Sequence, residues 1–335
     1  MNKIIIIVPF YGKQPDYFDI WVESISHNPT VDFLYVTDLA IPFPVPQNFK
    51  VVKMGFQTLK QRIQDRFDFP IMVETPYQLC DFKAAYGLIF DDYIKGYDFW
   101  GHCDTDQVFG DIRKYVKEDI LNKYERLYYL GHFSLYRNNE KINNFFKLPG
   151  SLFDYKTVYS TPQWYSFGEV AGTLQITLKN NISLYSAIDF CDVKSMYNRL
   201  RFYGDKVNPK HFVFYYENGQ VIRAFIENEE VKTDEWMYIH LQKRKMYDHR
   251  CNVKERFYIK AHEFVDKPHT GTPTKEEIMQ LSDYRGKVYE FLEMIRYYFK
   301  KIMRYLSMSS EQKRIWRKQR SARPNLLWPD VALYK

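Results

Sequence analysis

Two aspartates one residue apart, Asp104 and Asp106 in the run FWGHCDTDQVFG, are residues that can hold a hard divalent cation. Mg²⁺ and Mn²⁺ take oxygen ligands, usually a few carboxylates completed by waters and substrate phosphates. A cation held in this way neutralises charge developing on a departing phosphate. Both side chains reach one ion if the triplet sits on a turn that follows a strand. The same triplet also suits a solvated turn, and in a chain with 41 acidic residues it arises readily by chance. Its surroundings discriminate between the two.

The elements on either side favour the metal. Leu79–Ile94 carries apolar residues at helical spacing (Leu79, Phe82, Tyr86, Ile89, Phe90, Tyr93) and stops at Lys95-Gly96, a helix-ending pair. Tyr97–Cys103 then reads as a buried strand that delivers Asp104 and Asp106 at its carboxyl end, where open α/β sheets bind ligands. Upstream, Ile4–Val8, an amphipathic stretch over 17–26 and Phe33–Thr37 form a β-α-β opening. The apolar run at the N-terminus ends at Pro9, too short for a secretory segment, and reads as a first strand. Further on, Gly168–Lys179 is predicted helical. Phe212–Tyr216 and Val221–Ile226 flank Asn218-Gly219, a hairpin signal. Trp236–Leu241 is predicted as a strand carrying His240. His102 is read as structural.

Composition narrows the function classes. Aromatic residues make up 18% of 335 residues, with 29 Tyr and 26 Phe, which suits a packed core and aromatic-lined sugar sites rather than disorder. The net charge of +7 is concentrated in 286–323, where eleven Lys/Arg face three acids and the rest is near neutral. A nucleic-acid protein would spread its positive charge over a folded face. Cys80, Cys103, Cys191 and Cys251 stand far apart, with neither zinc spacing nor a disulfide framework; a reducing compartment is expected.

The runs VPFYGKQPDYFDIWVESISHNPTVDFLYVTD, PYQLCDFKAAYGLIFDDYIKGYDFWGHCDTD and YIHLQKRKM together resemble a bacterial family of GT-A glycosyltransferases from polysaccharide and lipopolysaccharide gene clusters. The likeness spans most of 1–247. It implies an α/β GT-A (Rossmann-like) fold with a mostly parallel central sheet, a metal-dependent transfer of sugar from a nucleotide-diphospho-sugar, and Mn²⁺ or Mg²⁺ on Asp104 and Asp106. By the same resemblance His240 is a further metal ligand, and Asp81 and Lys83 are candidates to touch sugar or phosphate. Helix-surface salt bridging is the competing reading for those two. Lys243, Arg244 and Lys245 supply cations beside a diphosphate. Pro9, Phe10 and Tyr11 are candidates to line the nucleotide base, and Asp38 to accept from base or ribose. Glu169, in WYSFGEVAG, is the candidate general base for an inverting reaction, with Asp234 and Glu235 as competitors.

The catalytic domain is expected to span 1–265, with 266–335 a basic amphipathic helical extension. Its apolar stripe, Val288, Phe291, Leu292, Ile295, Phe299, Ile302, Met303 and Leu306, backed by Lys/Arg and with Trp316 and Trp328 nearby, suits an anionic membrane surface. A helix packed on the catalytic domain is the alternative for 288–306, whereas 311–323 looks too basic for simple packing. These features imply a peripheral protein at the cytoplasmic face of the bacterial membrane, acting on a glycan or lipid-linked acceptor and not on nucleic acid. A sugar nucleotidyltransferase, or a non-catalytic membrane-associated carbohydrate-binding protein, are the other readings.

Overall fold

The computed structural model describes residues 1–246, 248–249 and 255–329. Its strands in chain order begin with β1 (Ile4–Pro9), β2 (Val31–Thr37), β3 (Phe49–Lys53), β4 (Phe99–Cys103), β5 (Gln107–Phe109), β6 (Arg126–Leu130) and β7 (Phe133–Arg137). They continue with β8 (Leu184–Tyr185), β9 (Cys191–Asp192), β10 (Phe212–Glu217), β11 (Gln220–Glu227), β12 (Glu230–Trp236) and β13 (Tyr238–His240). Short strands β14 (Asp248–His249), β15 (Arg256–Ile259) and β16 (Glu263–Asp266) follow.

The main sheet has the order β3-β2-β1-β4-β7-β6-β8. β1 pairs in parallel with both β2 and β4, and β2 with β3. β7 runs antiparallel to β4 and β6, so the sheet is mixed, with most of its pairs parallel. The Ile4–Val8 run forms a strand buried on both faces because helices cover parallel sheets on each side. One face packs on α1 (Phe18–Ser26) through Trp21 and Ile25; the other packs on Leu59 and Ile63 of α2 (Phe56–Gln64) and on the 79–94 segment. The chain moves outward from β1 to β3 and then crosses back to place β4 on the opposite side of β1. Strand order therefore reverses beside β4, a position where α/β sheets leave a crevice at their carboxyl edge.

Two smaller sheets complete the α/β fold. β5, β13 and β9 make a three-stranded sheet, with β13 central. β12, β11, β10, β15, β16 and β14 make a largely antiparallel one; Asn218 and Gly219, both at positive φ, form the tight turn between β10 and β11. The predicted strand over Trp236–Leu241 is divided at Met237, whose amide leaves the ladder to bond the Asp189 carbonyl.

Three expectations need correction. Leu79–Ile94 is not one helix: 3₁₀ turns at Pro76–Gln78 and Lys83–Ala85 alternate with α-helical turns at Leu79–Phe82 and Tyr86–Ile89. The break lets Lys83 turn inward. Gly168–Lys179 opens with a π-helical turn, Val170–Leu174, before a short α-helix, Gln175–Lys179. The packing of the tail is also the reverse of that expected. The basic helix Ser310–Ala322 docks, with Ile315 buried in the core and Gln319 Nε2 donating to the Tyr165 carbonyl at 2.6 Å. The preceding helix, Lys287–Ser307, buries no residue and turns its apolar stripe outward. Arg199 and Arg201 hold it by its polar face through Glu290, at 2.6 and 3.2 Å. Helix Lys275–Leu281 packs Ile278 against the sheet formed by β10 and β11, so the segment beyond 265 is not one uniform extension.

Among the described residues no helix is long and apolar enough to cross a membrane. Cys80, Cys103 and Cys191 are free thiols; Cys251 lies outside the described residues.

Candidate metal centre and its cavity

β4 ends at Cys103, and the next three residues turn under two other loops. The Asp104 amide donates to the His132 carbonyl at 3.1 Å, and Gln107 Nε2 reaches the same oxygen at 3.0 Å. His132 and Gly131 are the two-residue turn between β6 and β7, where Leu130 faces Phe133. On the other side the Asp106 carbonyl accepts from the Leu241 amide at 2.8 Å. Gln242 and Lys243 both adopt left-handed φ, a conformation that strains non-glycine residues by on the order of 1 kcal/mol or more each. It brings the Lys243 amide to the Asp106 carboxylate at 2.6 Å. Asp106 is thus held from both ends.

Strand register supplies the histidine. In the three-stranded sheet His240 stands opposite Gln107 on one side and Asp192 on the other. Asp192, fully buried, receives His240 Nδ1 at 2.8 Å. That bond leaves Nε2 pointing at Asp106 Oδ1, 3.4 Å away, and Asp104 Oδ2, 4.0 Å away. One ligand atom from each of Asp104, Asp106 and His240 lies within 4.8 Å of the others. The set fits a hard or borderline divalent cation: two carboxylates and an imidazole whose far nitrogen is fixed by a buried carboxylate, the usual support for a metal-bound histidine. His132 adds to the crowding. Its ring lies 4.4 Å from that of His240, and its Nδ1 meets Tyr238 Oη at 2.9 Å. His132, Asp192 and His240 form a second, overlapping triad of possible ligands.

The charges fit a cation site. Burial alone would depress the His240 pKa, yet Asp106 and Asp192 outweigh it and raise it to about 10. Burial pushes Asp106 up, and His240 with the Lys243 amide more than reverses this, to about 2. Asp104 is lowered as well, because Lys83 overcomes its desolvation. For His132 burial dominates, helped by His240, and lowers it to about 4, so its ring is neutral near pH 7. Three carboxylates thus converge where a divalent cation is the natural counter-charge.

Lys83, turned inward by the broken helix, is buried; its Nζ pairs with Asp104 and donates to the Gly131 carbonyl at 2.9 Å. It is a site residue, not part of a helix-surface salt bridge. Asp81 behaves differently. Its buried carboxylate accepts from the amides of Tyr165 at 2.8 Å and Phe167 at 2.6 Å. Asp81 therefore shapes the loop leading to Glu169 and touches no ligand space, which corrects its assignment as a sugar contact. Glu169 precedes the π turn, and its backbone carbonyl accepts from Gly172 and Leu174, both at 3.2 Å. Gly172 is required there, since a Cβ would sit 1.9 Å from the Phe167 carbonyl oxygen. Gly131 lies under Glu169, which a Cβ at that position would meet at 3.1 Å. The Glu169 side chain is open to cavity water but walled by protein, and burial of its surroundings pushes its carboxyl up to about 7.

The candidate metal ligands, with Lys83 and Glu169, face one cavity of about 1180 Å³. Lys83, Asp104, Asp106, His132, Glu169, Asp192, His240 and Lys243 form its inner walls, and the two C-terminal helices form the opposite one. A family model matches residues 6–268, a span that includes each of those inner-wall residues. The chain belongs to the DUF6625 family, a family of unknown function. No curated protein matches it.

Within this DUF6625 chain the remaining candidates lie apart from the cavity. Pro9, Phe10, Tyr11 and Asp38 sit at the carboxyl edge of β1 and β2 but do not line it. Tyr11 is buried against Phe56, Phe10 stacks on Tyr35, and Asp38 is exposed. Lys245 is exposed outside the cavity wall, and its carbonyl meets His262; Arg244 is spent on the carbonyls of Lys194, Tyr197 and Asn198. Asp234 and Glu235 are excluded as bases by position and pairing: Asp234 takes Arg223 and the Trp236 indole, and Glu235 takes Lys114. His102, fully buried among Tyr86 and Tyr136, is structural. The sequence reading missed His132 and Asp192. The only signals were a Gly-His pair between two apolar runs and an acid closing a short apolar run, AIDFCDV.

Proposed function

We propose that this protein is a metal-dependent glycosyltransferase of GT-A type, moving a sugar from a nucleotide-diphospho-sugar to a glycan or lipid-linked acceptor at the cytoplasmic face of a bacterial membrane. The observation that carries this reading is the convergence of Asp104, Asp106 and His240, their ligand atoms within 4.8 Å, at the carboxyl edge of a largely parallel sheet and on the wall of a large cavity. Asp104, Asp106 and His240 would hold Mn²⁺ or Mg²⁺, which neutralises charge on the departing diphosphate.

This chain's own groups supply the rest. Asp192 keeps the His240 ring oriented. Lys83 and Lys243 stand beside the carboxylates as cations for phosphate oxygens; the Lys243 ammonium is also 4.5 Å over the ring of Tyr77. Glu169, with a pKa near the working pH, is suited to take the proton of an acceptor hydroxyl as its oxygen attacks the anomeric carbon and the sugar–phosphate bond breaks. The cavity exceeds the usual volume for one small ligand, in keeping with two substrates.

A panel of nucleotide sugars, assayed for donor hydrolysis and transfer with and without Mn²⁺, tests the proposal on the wild type and on Asp104→Ala and Asp106→Ala. Metal-dependent turnover that falls at least a hundredfold in both variants is expected. Turnover indifferent to Mn²⁺ and to both substitutions would refute it.

A further inference from the structure

The helix Lys287–Ser307 does something unusual for a docked amphipathic helix: it turns its polar face to the protein. Val288, Phe291, Leu292, Ile295, Phe299, Ile302, Met303 and Leu306 are each about half exposed or more. Glu290 and Glu293, on the opposite face, tie it down through Arg199, Arg201 and the Asn198 amide. The stripe also continues into the site. Ile302 and Tyr298 are both exposed on the outside and part of the cavity wall, beside Tyr305, Trp316, Leu326 and Trp328.

That same wall carries Lys301, Arg317, Arg320 and Arg323. Among the described residues none of the four has an ion-pair partner, although the wall facing them is rich in carboxylates. In the same helix Arg314 is paired with Glu311. Unpaired guanidinium groups on a cavity wall suit phosphate oxygens, and apolar surface continuous with them suits a hydrocarbon chain. A stripe flanked by Lys287, Arg296, Lys300 and Arg304 complements an anionic lipid surface better than a second copy of the same basic face, which it would repel.

We infer that the acceptor is an amphiphile with a phosphate headgroup, taken from an anionic bilayer on which the 287–307 helix lies. Its phosphate is bound by Lys301, Arg317, Arg320 and Arg323, its chain leaves along Tyr298 and Ile302 into the bilayer, and the end to be modified points to Glu169 and the aspartates. This rests on the transferase reading for the direction of reaction, but binding itself requires neither donor nor metal.

The test uses the full chain and three probes in calorimetry: dodecyl phosphate below its micelle concentration, dodecanol, and inorganic phosphate. Dodecyl phosphate should bind at least tenfold more tightly than either of the others, and Arg317→Ala/Arg320→Ala should abolish that preference. Equal affinity for inorganic phosphate, or an unchanged preference in the double variant, overturns the inference. Asp104→Ala should still bind dodecyl phosphate, so failure of the transferase reading leaves this result separately readable. In parallel, sedimentation with phosphatidylcholine vesicles containing one-third phosphatidylglycerol should fall at least tenfold for Phe291→Ser/Ile295→Ser/Phe299→Ser, whose melting temperature should match the wild type. A wild type that ignores the vesicles and is a dimer by light scattering, turned monomeric by the same three substitutions, would assign the stripe to a second copy and overturn the bilayer as its occupant.

Discussion

At the scale of single residues, the most informative side chain is one that need not touch substrate. Asp192 fixes His240 Nδ1, and this sets which nitrogen faces Asp104 and Asp106. Asp192→Asn keeps the shape but weakens the acceptor and allows the ring to flip. Losing a carboxylate behind a metal-bound histidine typically costs about 10–100-fold in metal affinity. A Mn²⁺ titration of Asp192→Asn should show a loss in that range with the melting temperature little changed. Glu169 gives a pH prediction. Its folded pKa of about 7 lies above the usual glutamate value, so the folded state holds the proton more tightly than the unfolded chain does. Acting as base, it must be ionised: kcat/KM should rise with pH through about 7, and Glu169→Gln should lose that limb. The same shift makes ionised Glu169 a liability to the fold. The Gln variant should melt higher than wild type at pH 8, with the difference fading as pH falls toward the ordinary glutamate range.

At the scale of elements, the site depends on pieces that break regular structure. Arg126, buried on β6 and without a carboxylate partner among the described residues, donates to the Thr173 carbonyl at 3.0 Å and to Thr177 Oγ1 at 2.7 Å. It stacks on Tyr136 and pins the π turn that carries Glu169. Arg126→Leu removes these bonds and leaves only the Thr177 hydroxyl on the Thr173 carbonyl, costing roughly 2–4 kcal/mol. Denaturant unfolding should show that loss, and the pH limb assigned to Glu169 should weaken with it. Such breaks explain what was legible in the chain. Apolar period and turn residues revealed β1, α1, the β10–β11 hairpin and the strand before Asp104, because local pattern decides them. A periodicity that suits one helix over Leu79–Ile94 conceals the turn that sends Lys83 inward. Asp192 and His132 were invisible for another reason: their partners lie 48 and 106 residues away, and only strand register joins them. The strand leading to Pro9, Phe10 and Tyr11 was correctly read, but packing against Tyr35 and Phe56 claims the two rings.

At the scale of the whole molecule, the C-terminal helices are part of the site. Ile315 seats the 310–322 helix in the main core, Gln175 exchanges two hydrogen bonds with Leu327, at 2.8 and 3.0 Å, and Arg317 and Arg320 face the aspartates across the cavity. Composition exposed the basic tail and its stripe but not which face docks, since an amphipathic pattern names two faces without saying where each points. Ile315→Asp places an unpaired charge in the core and should release the helix. Hydrogen exchange across 310–328 should quicken at least tenfold, with β1, β2 and β4 protected as before.

The central claim is that Asp104, Asp106 and His240 together hold a divalent cation that engages a nucleoside diphosphate. Electron paramagnetic resonance of Mn²⁺, titrated into wild type and Asp106→Ala with and without a nucleoside diphosphate, measures this directly. One Mn²⁺ per chain is expected in the wild type, bound more tightly when the diphosphate is present, with at least a hundredfold loss in Asp106→Ala. Equal Mn²⁺ binding by the two proteins, or affinity unaffected by the nucleotide, would contradict it.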